Sequence, residues 1–583
     1  MIKFKILAAL LFSALLFLSC NPNDDVSHNN SNTEFSKNFG EGVARDFIGQ
    51  VVDEQNNPIK NATVTIGNSI VKTDENGVFL INDAFVFKKF AHIKVAKSGY
   101  IDGSRSMVPT LGKNRVTIML TSYNSIQYIE SGVRSEVLMS NGTKIVFDGA
   151  FQDEYGRSYK GIVNVSAFHL TPSDDNLSSL MPGMLYAEDK NGQEKVLETY
   201  GMLNVELYGN NGGQKLQIAT GHTAEISLQI DDTQLASAPN TIPLWHFDEK
   251  NGYWKEEGVA TRQGNLYVGK VSHFSWWNCD DPFSSVSLSL TILDINGNPL
   301  AGMGVGLVRN DNISATSYTD EHGNISGLIP SNEAIVMNVY DDCGTIIYTT
   351  VIGPFSSDTT LPNVVVTNFQ PIIITGNVLK CNNANVTNGY VYFKTPNRSV
   401  FQSVINGGFT INASNCTSIN SFSLQGFDFD SHQQTENANY TFTGNNINVG
   451  NLQTCTAMYN YITCKIDNNA TITYIETNGF SVIASGGNGG GRFKLEAIKV
   501  YDAPNIRIEA PTTNLGTFNS PPYVISGIDL PTRFINTQMP NTLSFHLINY
   551  GNVGEFVDLT ANGSFYDTLG IQHTIQLTAH VKR

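Results

Sequence analysis

The chain has 583 residues, 36 Lys and Arg against 52 Asp and Glu, and a formal charge of −16. At about 100–150 residues per domain, that length holds four or five units, each able to bury its own core. Lys and Arg are dispersed with no basic stripe, so this acidic surface repels phosphates and anionic headgroups, which argues against a nucleic-acid partner.

The N-terminus reads as an export signal. Lys3 and Lys5 form a positive start, and Ile6 to Leu18 is apolar but too short to span a membrane as a mature helix. The segment ends Leu18-Ser19-Cys20. This resembles a bacterial lipoprotein signal, which implies cleavage after residue 19 and lipid on Cys20. Residues 20–44 are rich in Asn, Ser and Asp and bury too little apolar surface to offset ordering entropy, so they are expected to form a flexible tether. Within it, Asp24 and Asp25 resemble the acidic signal that sends Bacteroidetes lipoproteins to the cell surface. The implied location is the outer membrane or cell surface. Membrane contact is expected through the lipid alone, since no later apolar run approaches about twenty residues.

Beyond the tether the chain reads as all-β. Short runs of Val, Ile, Thr, Tyr and Phe alternate with Asn, Asp and Gly turns, which predicts tandem β-sandwich domains of transthyretin-like or Ig-like kind. An internal repeat marks the units. Residues 45–121 contain Asp53, Pro58, the run Ala62 to Ile66, and Thr73-Asp74-Glu75-Asn76-Gly77. Residues 285–368 contain Asp294, Pro299, the run Met303 to Leu307, and Thr319-Asp320-Glu321-His322-Gly323. A degenerate third copy in 369–455 runs from Ile374 to Phe409. The first two copies resemble the carboxypeptidase regulatory-like domain, a small transthyretin-like sandwich that is a non-catalytic accessory. The resemblance implies fold and no peptidase activity.

Residues 122–283 lie between the copies and hold all four tryptophans. The stretches Ile242 to Asp248 and Val271 to Asp280 resemble a β-rich domain common in Bacteroidetes surface lipoproteins, and more distantly the sandwich shared by ankyrins and netrin receptors. Residues 456–583 read as a C-terminal sandwich, whose last strands resemble those of small Bacteroidetes lipoprotein domains.

Candidate chemistry is sparse. Beyond Cys20, six cysteines remain: Cys279, Cys343, Cys381, Cys416, Cys455 and Cys464. An even number in an exported chain points to one or more disulfides of open connectivity. His273-Phe274-Ser275, expected on a strand, resembles the cleavage triplet of autoproteolytic domains. It implies Ser275 as nucleophile, Phe274–Ser275 as the scissile bond and His273 as the group straining or orienting it. Strand alternation accounts for the same residues as core. His222 to Glu225 and His246 to Glu249 have a His-x-x-Glu spacing used by zinc carboxypeptidases, but neither has an evident third ligand, so no metal and no cofactor is expected. The glycines from Gly486 to Gly491 lack the Lys and Ser or Thr of a phosphate loop. Asp174-Asp175, Asp341-Asp342 and Asp428/Asp430 read as solvated turn acids. Asp358-Thr359 and Asp567-Thr568 resemble a Bacteroidetes O-glycosylation motif, which implies Thr359 and Thr568 as modified hydroxyls. Tyr253, Trp254 and Trp277 are candidate rings for stacking on a glycan, or for core.

The expected function is a lipid-anchored, extracytoplasmic binding, adhesion or scaffold protein without catalysis, with an unidentified glycan or protein ligand. Two alternatives stand beside it: an accessory subunit of a surface uptake complex, and a surface protein that cuts itself before Ser275.

Overall fold

The computed structural model describes residues 34–583, except 124–126, 210–212, 310–313, 397, 415, 417–418, 476–479, 487–491, 500–503, 521–522 and 552–554. Residues 1–33, with Cys20, Asp24 and Asp25 among them, and residues 487–491 of the glycine-rich stretch lie outside the described residues. What is described is all-β: four two-sheet units and one large curled sheet, with only two short helical turns. No helix among the described residues is long and apolar enough to cross a membrane.

The three copies share one topology. In the first, strand Gly42–Val52 lies between Val78–Phe87, antiparallel, and Lys113–Met119, parallel. In the second, Ser285–Asp294 lies between antiparallel Asn324–Pro330 and parallel Thr359–Thr360 and Val364–Val366. In the third, Ile372–Lys380 lies between antiparallel Gly408–Ala413 and parallel Asn446–Thr454. Each packs a second sheet on the first; in the opening copy its order is Ser69–Lys72, Thr63–Ile66, Ala91–Ala96, Gly103–Met107. Ser285–Asp294 shows the period-2 rule cleanly, every second side chain being buried.

The repeated residues close the same turns. Asp53 Oδ1 accepts from the N–H groups of Gln55 and Asn57, and Asp294 Oδ1 from those of Asn296 and Asn298. Thr73 Oγ1 donates to Ile59 O and accepts from Ala62 N; Thr319 Oγ1 does the same with Leu300 O and Met303 N. Gly77 has a φ of +69°, and a Cβ there would lie 2.4 Å from Val51 O; Gly323, at +75°, meets Ile292 O at the same distance. Only glycine fits such a turn.

Residues 127–283 form a 13-stranded sheet that curls around a large apolar core. Glu194–Tyr208 and Trp276–Phe283 lie in its middle and are buried on both faces over much of their length. Neighbouring Trp276 and Trp277 are both buried but in different cores: Trp276 with Trp245, Phe247 and Trp254, and Trp277 with Leu244, Phe274 and Cys279. The C-terminal unit packs a six-stranded on a four-stranded sheet.

Two expectations change. The tether does not run to residue 44, because Glu34–Phe39 forms a 3-10 turn whose Phe35 and Phe39 bury against Phe90, Tyr186 and Tyr253. The expectation of one or more disulfides holds, with two bridges formed. Cys343–Cys416 ties the second copy to the third, Cys381–Cys455 joins the ends of two neighbouring strands of the third, and Cys279 and Cys464 are thiols in separate cores. Two of the paired acids are not solvated: Asp428 is fully buried, and Asp342 bonds Arg398 at 2.6 Å across the junction of second and third copies.

The modules dock on one another. The first copy meets the large domain through Ser106 Oγ to Gly252 O (2.8 Å) and Arg105 to Gly183 O (2.7 Å). It meets the second through Gly112 N to Asp320 (3.0 Å) and Lys113 N to Glu321 (2.8 Å). It meets the third through Tyr390 Oη to Asp74 (2.7 Å), over the shared cluster Ile48, Val78, Tyr390, Phe427 and Met458.

Candidate functional site

Three segments of the large domain converge on one surface point. His246 comes from strand Thr241–Asp248, which pairs with Tyr253–Gln263. That pairing shifts by one residue where Glu257 and Gly258 together oppose Leu244. Gly258, at φ +98°, makes this bulge accessible to the chain, and the bulge turns the Glu257 carboxylate toward His246. His273 comes from the bend between strands Leu266–Val271 and Trp276–Phe283.

The Nε2 atoms of His246 and His273 lie 3.6 and 3.5 Å from one oxygen of Glu257, Oε2. The other oxygen, Oε1, accepts a 2.7 Å hydrogen bond from Ser272 Oγ. The two imidazoles stand edge to face, centroids 4.8 Å apart, and both rest on the ring of Trp277. His246 is the most enclosed of the three, its side chain 19% exposed against 35% for His273 and 44% for Glu257. Burial, helped by His273, pulls His246 down to about 4, so its imidazole is neutral at pH 7. Burial acts to raise Glu257, but the Ser272 bond and both histidines outweigh it and hold that carboxyl below its ordinary range. Two imidazoles and a carboxylate are the residues that could hold a metal here.

Glu257 is not among the sequence candidates, and the fold brings it to His246 and His273 where the sequence shows no third ligand. Of the His246-x-x-Glu249 pair, only His246 lies in this cluster. Glu249 follows His246 into a turn, whereas Glu257 arrives from the neighbouring strand. The available signal was Gly258 inside a strand pattern, which marks a bulge.

The His-Phe-Ser triplet lies in the bend and not on a strand. Gln217 clamps the Phe274 peptide from both sides: Phe274 N donates to Gln217 Oε1 (2.7 Å), and Gln217 Nε2 donates to Phe274 O (2.8 Å). Ser275 Oγ donates to Trp276 O at 3.2 Å, while the His273 ring turns to Glu257. None of the three residues has a positive φ. The bend therefore does not pair the Ser275 hydroxyl with the His273 ring, and Phe274 belongs to the core.

The proposed sugar-stacking rings are corrected as well. Tyr253, Trp254 and Trp277 are all 0% exposed, so none can meet a ligand without unfolding its core. Thr568 is exposed in a turn held by Asp567, whose Oδ1 accepts from Leu569 N and Ile571 N. Thr359 is half-buried, its hydroxyl bonded to Ser357 O.

No family model matches the chain. A stretch of 124 residues is 27% identical to human cartilage intermediate layer protein 2, covering 21% of this chain; the chain spans about a tenth of that relative's length. Among solved structures, the chain is similar to a streptococcal ancillary pilin (12% identity, 39% of this chain and 98% of that one, TM-score 0.13). It is also similar to BcpA, the major pilin subunit of Bacillus cereus (10%, 56% and 100%, 0.13), and to the Bacillus anthracis TIE protein (9%, 70% and 70%, 0.14). These scores lie below those of a shared overall fold.

Proposed function

We propose that the chain is a lipid-anchored, extracytoplasmic scaffold or adhesion protein that holds several β-sandwich modules in fixed relative orientation and performs no catalysis. The observation that carries this reading is the set of junctions around the first copy, which bonds directly to three other modules. A disulfide and the Arg398–Asp342 pair hold the second copy to the third. Buried, hydrogen-bonded junctions fix orientation where a flexible linker would leave it free. A fixed body suits a protein that presents loops to a partner. Recognition by the rings Tyr253, Trp254 and Trp277 is not part of the proposal, since they are core.

Two measurements on the mature protein test it. Small-angle scattering is expected to match the profile of residues 34–583 held as one rigid body; a profile that requires units moving freely on linkers would refute the fixed orientation. Intact-mass spectrometry of membrane-extracted protein is expected to show one uncut chain carrying lipid on Cys20. Two fragments meeting at Ser275, joined again in Ser275→Ala, would favour the self-cleaving alternative. Stoichiometric co-purification with an outer-membrane transporter would favour the uptake-complex alternative.

A further inference from the structure

We propose that His246, Glu257 and His273 form a binding site for a divalent transition metal of the zinc class, on the surface of the large domain.

Three observations converge on it. The donor set, two imidazole nitrogens and one carboxylate oxygen, suits zinc and its neighbours and does not suit magnesium or calcium, which prefer all-oxygen shells. Two of the three donor spacings fit as well. Metal–ligand bonds of about 2.0–2.1 Å place neighbouring tetrahedral donors about 3.3 Å apart. The two imidazole–carboxylate separations are 3.6 and 3.5 Å, and all three donor atoms lie within 4.8 Å of one another. Both separations exceed the 2.7–3.2 Å of a good N–H···O bond, so the fold gathers these atoms without joining them well to each other.

The surroundings supply what a ligand set needs beyond its donors. Ser272 Oγ bonds Glu257 Oε1 and leaves Oε2 as the atom facing both imidazoles. Outer hydrogen bonds of this kind orient a ligating carboxylate. Trp277 forms an apolar floor that packs both rings. Glu257 is built into the site by a bulge with glycine at +98°, a backbone feature that an uninterrupted strand pair would not contain. His273 and Glu257 are each more than a third exposed, so a three-ligand site here keeps an open position toward solvent, where water or a donor from a partner completes the shell.

The test uses the full mature chain without a histidine tag, stripped with chelator and titrated with zinc chloride at pH 7.5 by calorimetry, with magnesium chloride as control. One equivalent of zinc and none of magnesium is expected. Glu257→Gln and His273→Gln, both at the exposed rim, should each lose affinity by a hundredfold or more while melting as the parent does, and Ser272→Ala should lose about tenfold. X-ray absorption should show only nitrogen and oxygen around the metal. Three results would overturn the site: no stoichiometric uptake at micromolar zinc, uptake unchanged in the Glu257→Gln, His273→Gln double variant, or sulfur in the shell, which would move the metal to a cysteine. His246→Ala, being more enclosed, is a secondary variant whose failure to fold would leave the two rim variants to decide.

Discussion

The junction of the first and third copies makes a pH-dependent prediction. Asp74 is 7% exposed and Tyr390 is fully buried. Asp74 Oδ1 accepts from Asn76 N and Val78 N at 2.9 Å each, and Oδ2 accepts from Tyr390 Oη at 2.7 Å. Burial outweighs these bonds and pushes the carboxyl from 3.8 up to about 7. The folded chain thus holds this proton over a range in which the unfolded chain has released it. Stability from this group is fully present below about pH 4 and is lost as pH rises to about 7, a rise of about three units, worth at most about 4 kcal/mol. Asp74→Asn keeps an oxygen for the two backbone amides and removes the titration. Hydrogen exchange of the 73–80 segment follows opening of this turn directly, without requiring the whole chain to unfold in one step. Parent protein is expected to exchange with a lower opening free energy at pH 7.5 than at pH 4.5 after correction for intrinsic rates, and Asp74→Asn to flatten that difference. Tyr390→Phe removes a bond to a charged group and should cost about 1.5–3 kcal/mol at pH 7.5. If Asp74→Asn retains the parent's pH dependence at this segment, the carboxyl titrates normally and the junction is wetter than the structure has it.

Other perturbations follow the same logic. Alkylation of denatured, non-reduced protein should label Cys279 and Cys464 but not Cys343, Cys381, Cys416 or Cys455, and reduction should cost about 2–4 kcal/mol per bridge; a bridge to Cys279 seen by peptide mapping would contradict the pairing. Phe35→Ala removes a ring 4.6 Å from that of Tyr253 and should cost about 3–5 kcal/mol of docking, opening Glu34–Phe39 to limited proteolysis; an unchanged cleavage pattern would mean the turn is not docked. Gly77→Ala and Gly323→Ala each force a Cβ toward a backbone oxygen at positive φ and should destabilise their own copies by a similar amount, about 1–3 kcal/mol. A tolerated alanine at either position would show that the turn relaxes.

What the sequence revealed and what it hid divide by the range of the interaction. The Thr-Asp-Glu turns were legible because each hydrogen-bonds within a few residues of itself, so Asp74 and Asp320 had to recur at fixed spacing. The third copy was faint because it keeps the strand pairing of Ile372–Lys380 but closes the turn at Ile405 to Gly408 without the Thr and Asp side chains. Burial on both faces was illegible in Trp276-Trp277, since alternation assigns one face to core and the other to solvent. Glu257 was hidden for another reason. Its approach to His246 depends on a one-residue bulge, and a register shift leaves no periodic signature beyond Gly258.

The repeated turn also explains how the modules come to dock. In Asp53 and Asp294 both carboxylate oxygens are spent inside the turn, Oδ1 on backbone amides and Oδ2 on Asn57 or Asn298. In Asp74 and Asp320 the first oxygen again closes the turn, on Asn76 and Val78 or on His322 and Asn324. The second oxygen reaches another module: Asp74 meets Tyr390 of the third copy, and Asp320, whose Oδ2 also accepts from Asn324 Nδ2 at 3.3 Å, meets Gly112 N of the first. One carboxylate thus couples local closure to long-range docking, so a turn that opens releases its neighbour as well. These outward bonds add to the apolar clusters shared across the junctions, so residues that make each copy fold also hold its neighbour.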